Sequence, residues 1–321
     1  YFCHVQKNRS SQLEFIALMA ALMSVTALAI DALLPALDVI GLDLGVVLQA
    51  DNQLLITMIF LGLGLGPLLF GPLSDAIGRK PSVYLGFGVF LLASSLCVNT
   101  TNLEMMILGR ILQGIGLSAP RTICIAIIRD LYQGDYMARI MSFVTIVFLL
   151  IPIVAPAMGK FVLDSYSWQA IFYVQAAIGV LVTIWFWIRQ KETLAPSNRI
   201  PFEFHRLIQG AKQTLSYKKT IGFTLISGFI VGSFLVYLSA SQQIFQEQYG
   251  LKQEFPYIFA GLAVAIGIAI FLNGSFVVKY GMEKLVTLSL IGYFIVSVLY
   301  IVIFYNTPTP HIYYLLGFFG L

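Results

Sequence analysis

Charged residues are scarce in this 321-residue sequence: Asp, Glu, Lys and Arg together make up 11%, against 59% hydrophobic residues. Soluble domains carry about a quarter charged residues, so a chain of this composition cannot cover a water-facing surface. The surplus apolar surface must face lipid, where only helices and closed barrels satisfy their backbone hydrogen bonds. Barrel strands alternate apolar and polar residues, whereas the apolar runs here continue for about 20 residues, the length of a spanning helix. The sequence therefore predicts an all-α membrane protein.

Residues suited to catalysis or metal binding are also few. The three cysteines show neither a disulfide framework nor metal-site spacing, and no P-loop or zinc-binding H-E-x-x-H occurs. An intramembrane enzyme would need a nucleophile–base pair or a metal cluster at membrane depth, yet His4, His205 and His311 lie outside the complete apolar runs. The basic residues behind the net charge of +4 lie in loops between those runs, which argues against nucleic-acid binding. We expect no enzymatic activity, metal or cofactor.

Apolar runs of spanning length organise the chain. We predict nine complete spans and part of a tenth, with approximate limits 13–37, 52–73, 81–98, 103–128, 140–163, 168–188, 221–245, 256–278, 285–305 and 311–321. The chain begins at Tyr1 and its last run is about half a span long. We therefore expect a C-terminally truncated piece of a longer protein.

The basic residues between the spans predict the orientation. With the N-terminus in the cytoplasm, fifteen of the 19 Lys and Arg residues fall in inside segments, and only Lys160 and Lys252 fall outside. Cytoplasmic loops carry an excess of Lys and Arg. The alternation supports both the span count and a cytoplasmic N-terminus.

The longest polar stretch divides the chain into two halves. We predict a six-helix bundle at 1–189, a cytoplasmic linker at 190–220 and an incomplete second bundle at 221–321. A repeat supports this division: residues 71–78 read GPLSDAIG after the second span, and residues 274–281, 203 positions later, read GSFVVKYG after the eighth. Parallel halves related in this way are a known transporter plan.

The loop at residues 71–80, GPLSDAIGRK, resembles the signature loop of the major facilitator superfamily, roughly G-x-L-a-D-r-x-G-r-k. Ala76 replaces the usual Arg, and the other marked positions match. Glycines let helix ends approach closely, and Asp75 can pair with a cation or accept from helix N–H groups. The alternative is a plain turn with a basic cytoplasmic anchor. The resemblance implies a twelve-span bundle and a cytoplasmic gate formed by Gly71, Asp75, Gly78, Arg79 and Lys80.

In the fourth span, residues 108–116, LGRILQGIG, look like a second superfamily motif, R-x-x-q-G-x-g, with Arg110 and Gln113 at marked positions. An Arg inside a span costs about 2.5–3.5 kcal/mol even on insertion scales, so it needs a partner or a wet cavity. Arg121 follows about three turns later on the same face. We expect these side chains to line a cavity. The alternatives are a structural ion pair for Arg110 and an Arg121 that reaches the cytoplasmic interface.

Asp31 is the only carboxylate well inside an apolar span, and it should lie at a depth similar to that of Arg110. Burial favours the protonated acid, whereas a nearby cation favours the carboxylate. A site between these two influences can bind and release a proton. The alternatives are a fixed Asp31–Arg110 pair and an Asp31 that reaches the outer interface beside Pro35.

In the fifth span, residues 152–160, PIVAPAMGK, look like the antiporter motif of the superfamily's drug exporters, G-P-x-x-G-G. Ala155 and Lys160 replace two of its glycines. A proline removes a backbone hydrogen bond and kinks a helix, and small residues permit close packing. An ordinary proline kink is the alternative. We expect a helix that bends or seals the pathway at Pro152, Pro156 and Gly159.

Further stretches resemble one branch of the superfamily, the Bcr/CflA drug-resistance transporters: 31–37, 129–131, 168–172 and 237–241. Gln169 stands where that branch usually has Arg. The resemblance implies proton-driven export of small amphipathic compounds. We expect Tyr237 to contact the substrate.

These observations predict a secondary transporter that exports small hydrophobic drugs in exchange for protons by alternating access. The proton gradient would supply the energy, and we expect a monomer in a bacterial inner membrane. The first alternative is a facilitator or proton symporter that imports sugars or other polar metabolites, which would need more polar groups in its cavity. A second is that a chain with half of its second bundle missing does not transport.

Overall fold

A computed structural model describes residues 9–46, 48–251, 253–306 and 310–320. Within these residues the chain forms α-helices, short 3₁₀ and π-helical turns and no strand, which confirms the all-α prediction. The helices of the first half are α1 (Arg9–Asp31), α2 (Leu37–Asp43), α3 (Leu54–Ile77), α4 (Arg79–Val98), α5 (Leu103–Leu131), α6 (Gly134–Leu149), α7 (Ile151–Ser165) and α8 (Trp168–Arg189). The later helices are α9 (Phe204–Ser216), α10 (Lys218–Gln242), α11 (Phe255–Tyr280), α12 (Met282–Phe304) and α13 (Ile312–Gly320).

Two of the predicted spans are broken. The first continues past its predicted limit as α1, a 3₁₀ turn at Leu34–Ala36 and α2. The fifth is divided between α6 and α7, because Pro152 in the first turn of α7 offers no N–H to the carbonyl of the preceding turn. Both breaks lie beside residues of the predicted site.

Six helical segments in the described part of the chain are long and apolar enough to cross a membrane: Gln12–Asp43, Asp51–Ile77, Arg79–Val98, Leu103–Leu131, Trp168–Arg189 and Lys284–Phe304. Shorter apolar stretches cover Thr220–Phe234 in α10 and Tyr257–Ile270 in α11. The chain is therefore a multi-pass membrane protein.

Small residues let α5 lie at the centre of the first half. A Cβ at Gly62 of α3 would collide with the backbone of α5 at Ile111, and one at Gly114 would collide with the carbonyl of Ile59. On the other side of α5, a Cβ at Gly116 would lie 2.6 Å from the carbonyl oxygen of Gly86 in α4. This close packing fixes the side chains of α5 between α3 and α4.

In the described residues, the two halves are in contact chiefly through α11, which packs against α6 and α7. We call the end that carries Gly78 the motif end and the opposite end the distal end. At the distal end, where α10 ends, Gln53 Nε2 donates to Gln243 Oε1 at 3.1 Å. Phe245 and Phe255 are buried there, whereas Phe223, near the motif end of α10, is 50% exposed.

The sequence repeat has a structural counterpart. Gly78 joins α3 to α4 with φ 108°, and Gly281 joins α11 to α12 with φ 80°. Both angles lie in the region that glycine adopts without strain. The three-part division at 1–189, 190–220 and 221–321 stays a prediction; α9 lies in the expected linker.

Candidate functional site

Arg110 is held by oxygen atoms inside the first half. Its side chain is 0% exposed. The Nε–H donates to the Leu55 carbonyl at 2.8 Å, and both terminal nitrogens donate to the Ala29 carbonyl at 3.1 Å. Nη1 also donates to Gln113 Oε1 at 2.8 Å. A guanidinium has five fixed donors and is therefore suited to join α1, α3 and α5 at one point.

The Ala29 carbonyl is available because α1 ends there. The N–H of Leu33 donates to Ile30 at 3.3 Å in a 3₁₀ pattern, so the carbonyl one position earlier loses its usual helical donor. Helix C-terminal carbonyls need other partners, and a cation at that end is favourable. Arg110 thus caps the end of α1.

Asp31, the last residue of α1, is 3% exposed. Among the described residues, no hydrogen bond or ion pair reaches its carboxyl group, although Arg110 binds the backbone only two positions earlier. The structure therefore does not contain the fixed Asp31–Arg110 pair that the sequence left open. A buried carboxylate without a partner is costly, whereas the neutral acid is tolerated.

Polar side chains extend this site across the first half. Gln113, also 0% exposed, donates through Nε2 to Ser94 Oγ at 2.8 Å. Gln175 of α8 donates to the Leu28 carbonyl at 3.5 Å, and its own Oε1 is buried and has no hydrogen-bond partner among the described residues. Sequence reasoning missed Gln175, although an amide inside the span 168–188 was a visible signal.

The predicted antiporter motif lies against the break in α1. A Cβ at Gly159 of α7 would collide with the backbone of Ala32, the residue after Asp31. Pro156 is buried within α7 and cannot donate to the preceding turn. The structure thus brings Gly159 close to Asp31, which the sequence did not show.

Tyr237 does not join this site. It lies in the second half, where its ring stacks on Phe259 with centroids 6.4 Å apart and meets the edge of Phe319 at 5.4 Å. Its hydroxyl is buried, and no residue in the described part of the chain forms a hydrogen bond with it. Tyr237 lines a cavity of about 510 Å³ between α10, α11, α12 and α13, to which the described lining contributes no charged residue.

At the motif end, Arg79 binds three side chains of the first half. It is 4% exposed and donates through Nη1 to Asp75 at 2.6 Å and to Ser74 Oγ at 2.8 Å. Its Nε–H donates to Asp130 at 3.0 Å. Asp75 therefore pairs with a cation, the first of the two roles that the sequence allowed.

Glu192 from the linker covers the start of α4. Its carboxylate accepts from the backbone N–H groups of Arg79 and Lys80, both at 3.0 Å. These groups lack partners within the helix, and a negative charge is favourable at a helix N-terminus. A Cβ at Gly78 would lie 2.7 Å from Glu192 Oε2, so this close approach needs glycine. Sequence reasoning missed Glu192, although it is the only acidic residue between Asp164 and Glu203.

The other gate residues lie beside this contact. Lys80 Nζ donates to the Trp187 carbonyl at 3.2 Å, and Thr193 Oγ1 donates to Asp130 at 3.0 Å. Gly71 differs from the expected close approach, because nothing lies within 4 Å of where its Cβ would be. The linker is thus fastened to the loop at residues 71–80.

Arg121 lines a separate cavity of about 300 Å³ at the motif end, between α3 and α5, together with Asp75, Arg79 and Arg129. Arg110 is not part of that lining. The two arginines predicted on one face of α5 therefore have different surroundings, one enclosed by carbonyls and one beside open space.

Glu192→Gln should loosen the motif end. The amide keeps the shape of the side chain but removes the charge that caps α4, so we expect a loss of stability of about 1 kcal/mol. The melting temperature of the purified protein in detergent should fall. Asp164→Asn, which also exchanges a carboxylate for its amide and whose side chain is 58% exposed, is the control; equal melting temperatures for both variants would contradict the cap.

Comparisons with known proteins agree with this architecture. The family model described as Major Facilitator Superfamily matches residues 16–321. The Bicyclomycin resistance protein homolog of Haemophilus influenzae is 29% identical over 284 residues, which cover 88% of this chain and 71% of that protein. Multidrug resistance protein MdtL of Salmonella heidelberg is 26% identical over 280 residues, with 87% and 69% covered.

Solved structures show the same fold. The human organic anion transporter MFSD10 (TETRAN) superposes with a TM-score of 0.62 at 15% identity, covering 81% of this chain and 71% of that one. The proton:xylose symporter XylE superposes with a TM-score of 0.62 at 14% identity, with 85% and 70% covered. Since the family model spans almost the whole sequence, this chain belongs to the major facilitator superfamily, a family of transporters and not of enzymes.

Proposed function

We propose that this protein exports small, hydrophobic, drug-like compounds from a bacterial cell in exchange for protons, by alternating access. The observation that carries the proposal is the environment of Asp31. Its carboxyl group is 3% exposed and unpaired among the described residues, and it lies at a helix end that Arg110 fixes through the backbone. Such a group takes up a proton when enclosed and releases it when water or a cation reaches it.

The names of the relatives support the substrate class. One is a bicyclomycin resistance protein homolog and another a multidrug resistance protein, and both match more than four fifths of this chain. The described lining of the second-half cavity is aromatic and aliphatic with a few hydroxyl groups. A cavity lining of this kind favours hydrophobic compounds over sugars.

The contacts between the halves support alternating access. In the described residues, α11 of the second half packs against α6 and α7 of the first, and Gln53 donates to Gln243 at the distal end. At the motif end, the side chain of Asp75 remains 45% exposed although it pairs with Arg79. In our proposal the motif end closes when the second half reaches this exposed carboxylate, and the distal end then opens.

The expected setting is the bacterial inner membrane, with the N-terminus in the cytoplasm. The motif end then faces the cytoplasm, in agreement with the excess of basic residues in its loops. Lipid, protons and the exported compound are the proposed partners of a monomer.

Transport by the wild-type chain tests the proposal. Purified protein in vesicles with an acidic interior should accumulate ethidium or bicyclomycin, and a protonophore should abolish the accumulation. Vesicles without protein are the control. Uptake of xylose into vesicles with an acidic exterior, with no drug movement, would favour the importing alternative, and movement of neither compound would reject transport by this chain.

A further inference from the structure

The cavity beside Arg121 has more positive charge than its walls neutralise. Its charged lining consists of Asp75, Arg79, Arg121 and Arg129. Arg79 is already paired with Asp75, and with Asp130 nearby. Among the described residues, Arg121 and Arg129 take part in no ion pair and no hydrogen bond. Three guanidinium groups therefore stand against the two carboxylates of Asp75 and Asp130, which leaves one net positive charge on this wall, and neither Arg121 nor Arg129 pairs with a described carboxylate.

The lack of a bonding partner for Arg121 among the described residues is significant because of where this residue lies in α5. It lies ten residues before the end of α5, which is about 15 Å along the helix, and it follows Pro120 inside an apolar span. An arginine within a span is costly unless it faces a partner or a wet cavity. Arg121, Ile125 and Arg129 follow at four-residue intervals and so share one side of α5. The two charges can act together on one ligand.

The rest of the wall is apolar with a few hydroxyl groups. Leu63 and Pro67 of α3 face Ile125 of α5 across the space, and Thr122 adds a hydroxyl. A volume of about 300 Å³ is at the lower end of the usual range for ligand pockets. We infer that this cavity binds an amphipathic anion, with a phosphate or carboxylate on Arg121 and Arg129 and an apolar part against Leu63 and Pro67.

This site goes beyond the proposed export function and does not depend on it. Two sources supply the same chemistry: the phosphate of an inner-leaflet lipid and the carboxylate or phosphate of a soluble organic anion. Arginine binds both groups with paired N–H donors. Binding measurements separate the site from transport, because they need no gradient.

The test uses the purified chain in non-ionic detergent with 4-phenylbutyrate and its neutral analogue 4-phenylbutanol. The wild type should bind the anion, and Arg121→Gln should weaken that binding about tenfold or more while leaving the alcohol unaffected. Arg121→Lys should restore part of the affinity, and Arg129→Gln should weaken it as well. Lys284→Gln, which removes an exposed charge outside the cavity, should change nothing.

Native mass spectrometry addresses the lipid source. The wild type should retain phosphatidylglycerol in preference to phosphatidylcholine, and Arg121→Gln should lose that preference. Binding of either anion that depends on Arg121 supports the site and identifies its source. The inference is overturned if the wild type binds neither anion, or if Arg121→Gln and Lys284→Gln lower binding equally. Melting curves distinguish these results from misfolding, and Arg121→Gln should melt normally because no described residue bonds to Arg121.

Discussion

Asp31→Asn should reduce drug accumulation driven by a pH gradient to the level of vesicles without protein. The amide has nearly the same shape but cannot take up and release a proton, so the exchange loses its coupling group. The melting temperature should not fall, because no described residue bonds to the Asp31 carboxyl group. The measurement is ethidium accumulation in vesicles with an acidic interior, together with proton release on addition of drug.

The matched control for that experiment is Asp164→Asn. Asp164 is a carboxylate at the distal end, where it pairs with Lys160 with the side chain 58% exposed. This variant should transport like the wild type, and Asp31→Glu should retain part of the activity. Undiminished proton-coupled accumulation by Asp31→Asn would remove Asp31 from the mechanism.

Arg110→Ala should be the most destabilising single change in the first half. It leaves the Ala29 carbonyl and the amide oxygen of Gln113 without their donor in a buried place, and it removes a second donor from the Leu55 carbonyl. Each buried acceptor left unsatisfied costs about 1–3 kcal/mol, so we expect a loss of roughly 3 kcal/mol or more. The melting temperature in detergent should fall by several degrees and drug transport should be lost.

Two further variants test whether Arg110 stabilises the fold through its charge or through its forked N–H donors. Arg110→Lys keeps the charge but cannot bind both carbonyls with fixed geometry, so it should melt between the wild type and Arg110→Ala. Lys284→Ala removes an exposed cation and should melt like the wild type. If Arg110→Lys restored full stability, the charge alone would matter, and the capping of α1 by a forked donor would be wrong.

Features set by local chemistry could be predicted from the sequence. The long apolar runs predicted the all-α class and the membrane setting. A chain with few charges must place its apolar surface in lipid, where the backbone hydrogen bonds of such runs are satisfied within helices. The loop at residues 71–80 predicted a glycine at a sharp turn and an aspartate beside a cation. Both are present, as Gly78 with positive φ and as the Asp75–Arg79 pair.

Features that depend on packing between distant segments could not be predicted. Glu192 reaches the start of α4 across 113 positions, and no local pattern encodes that distance. The Ala29 carbonyl can accept from Arg110 because α1 ends before Pro35, but the sequence does not show that Arg110, 81 positions later, lies beside it. Charge alone favours a pair between Arg110 and the nearest carboxylate, Asp31. The carbonyl groups at the end of α1 that lack helical donors compete for the same N–H groups of Arg110. The roles of these residues in transport stay predictions.

The glycine turns at Gly78 and Gly281 both have a positive φ, but the side chains at equivalent positions beside them differ. Counting 203 positions on from Asp75 and Arg79 gives Val278 and Met282 in the sequence, which cannot form an ion pair. The first turn therefore has beside it an ion pair, Asp75–Arg79, that the equivalent positions of the second turn cannot form. Because salt screens charges, a rise in ionic strength should weaken the ion pair beside Gly78, in which Asp75 is 45% exposed, whereas Val278 and Met282 at the equivalent positions carry no charge to screen.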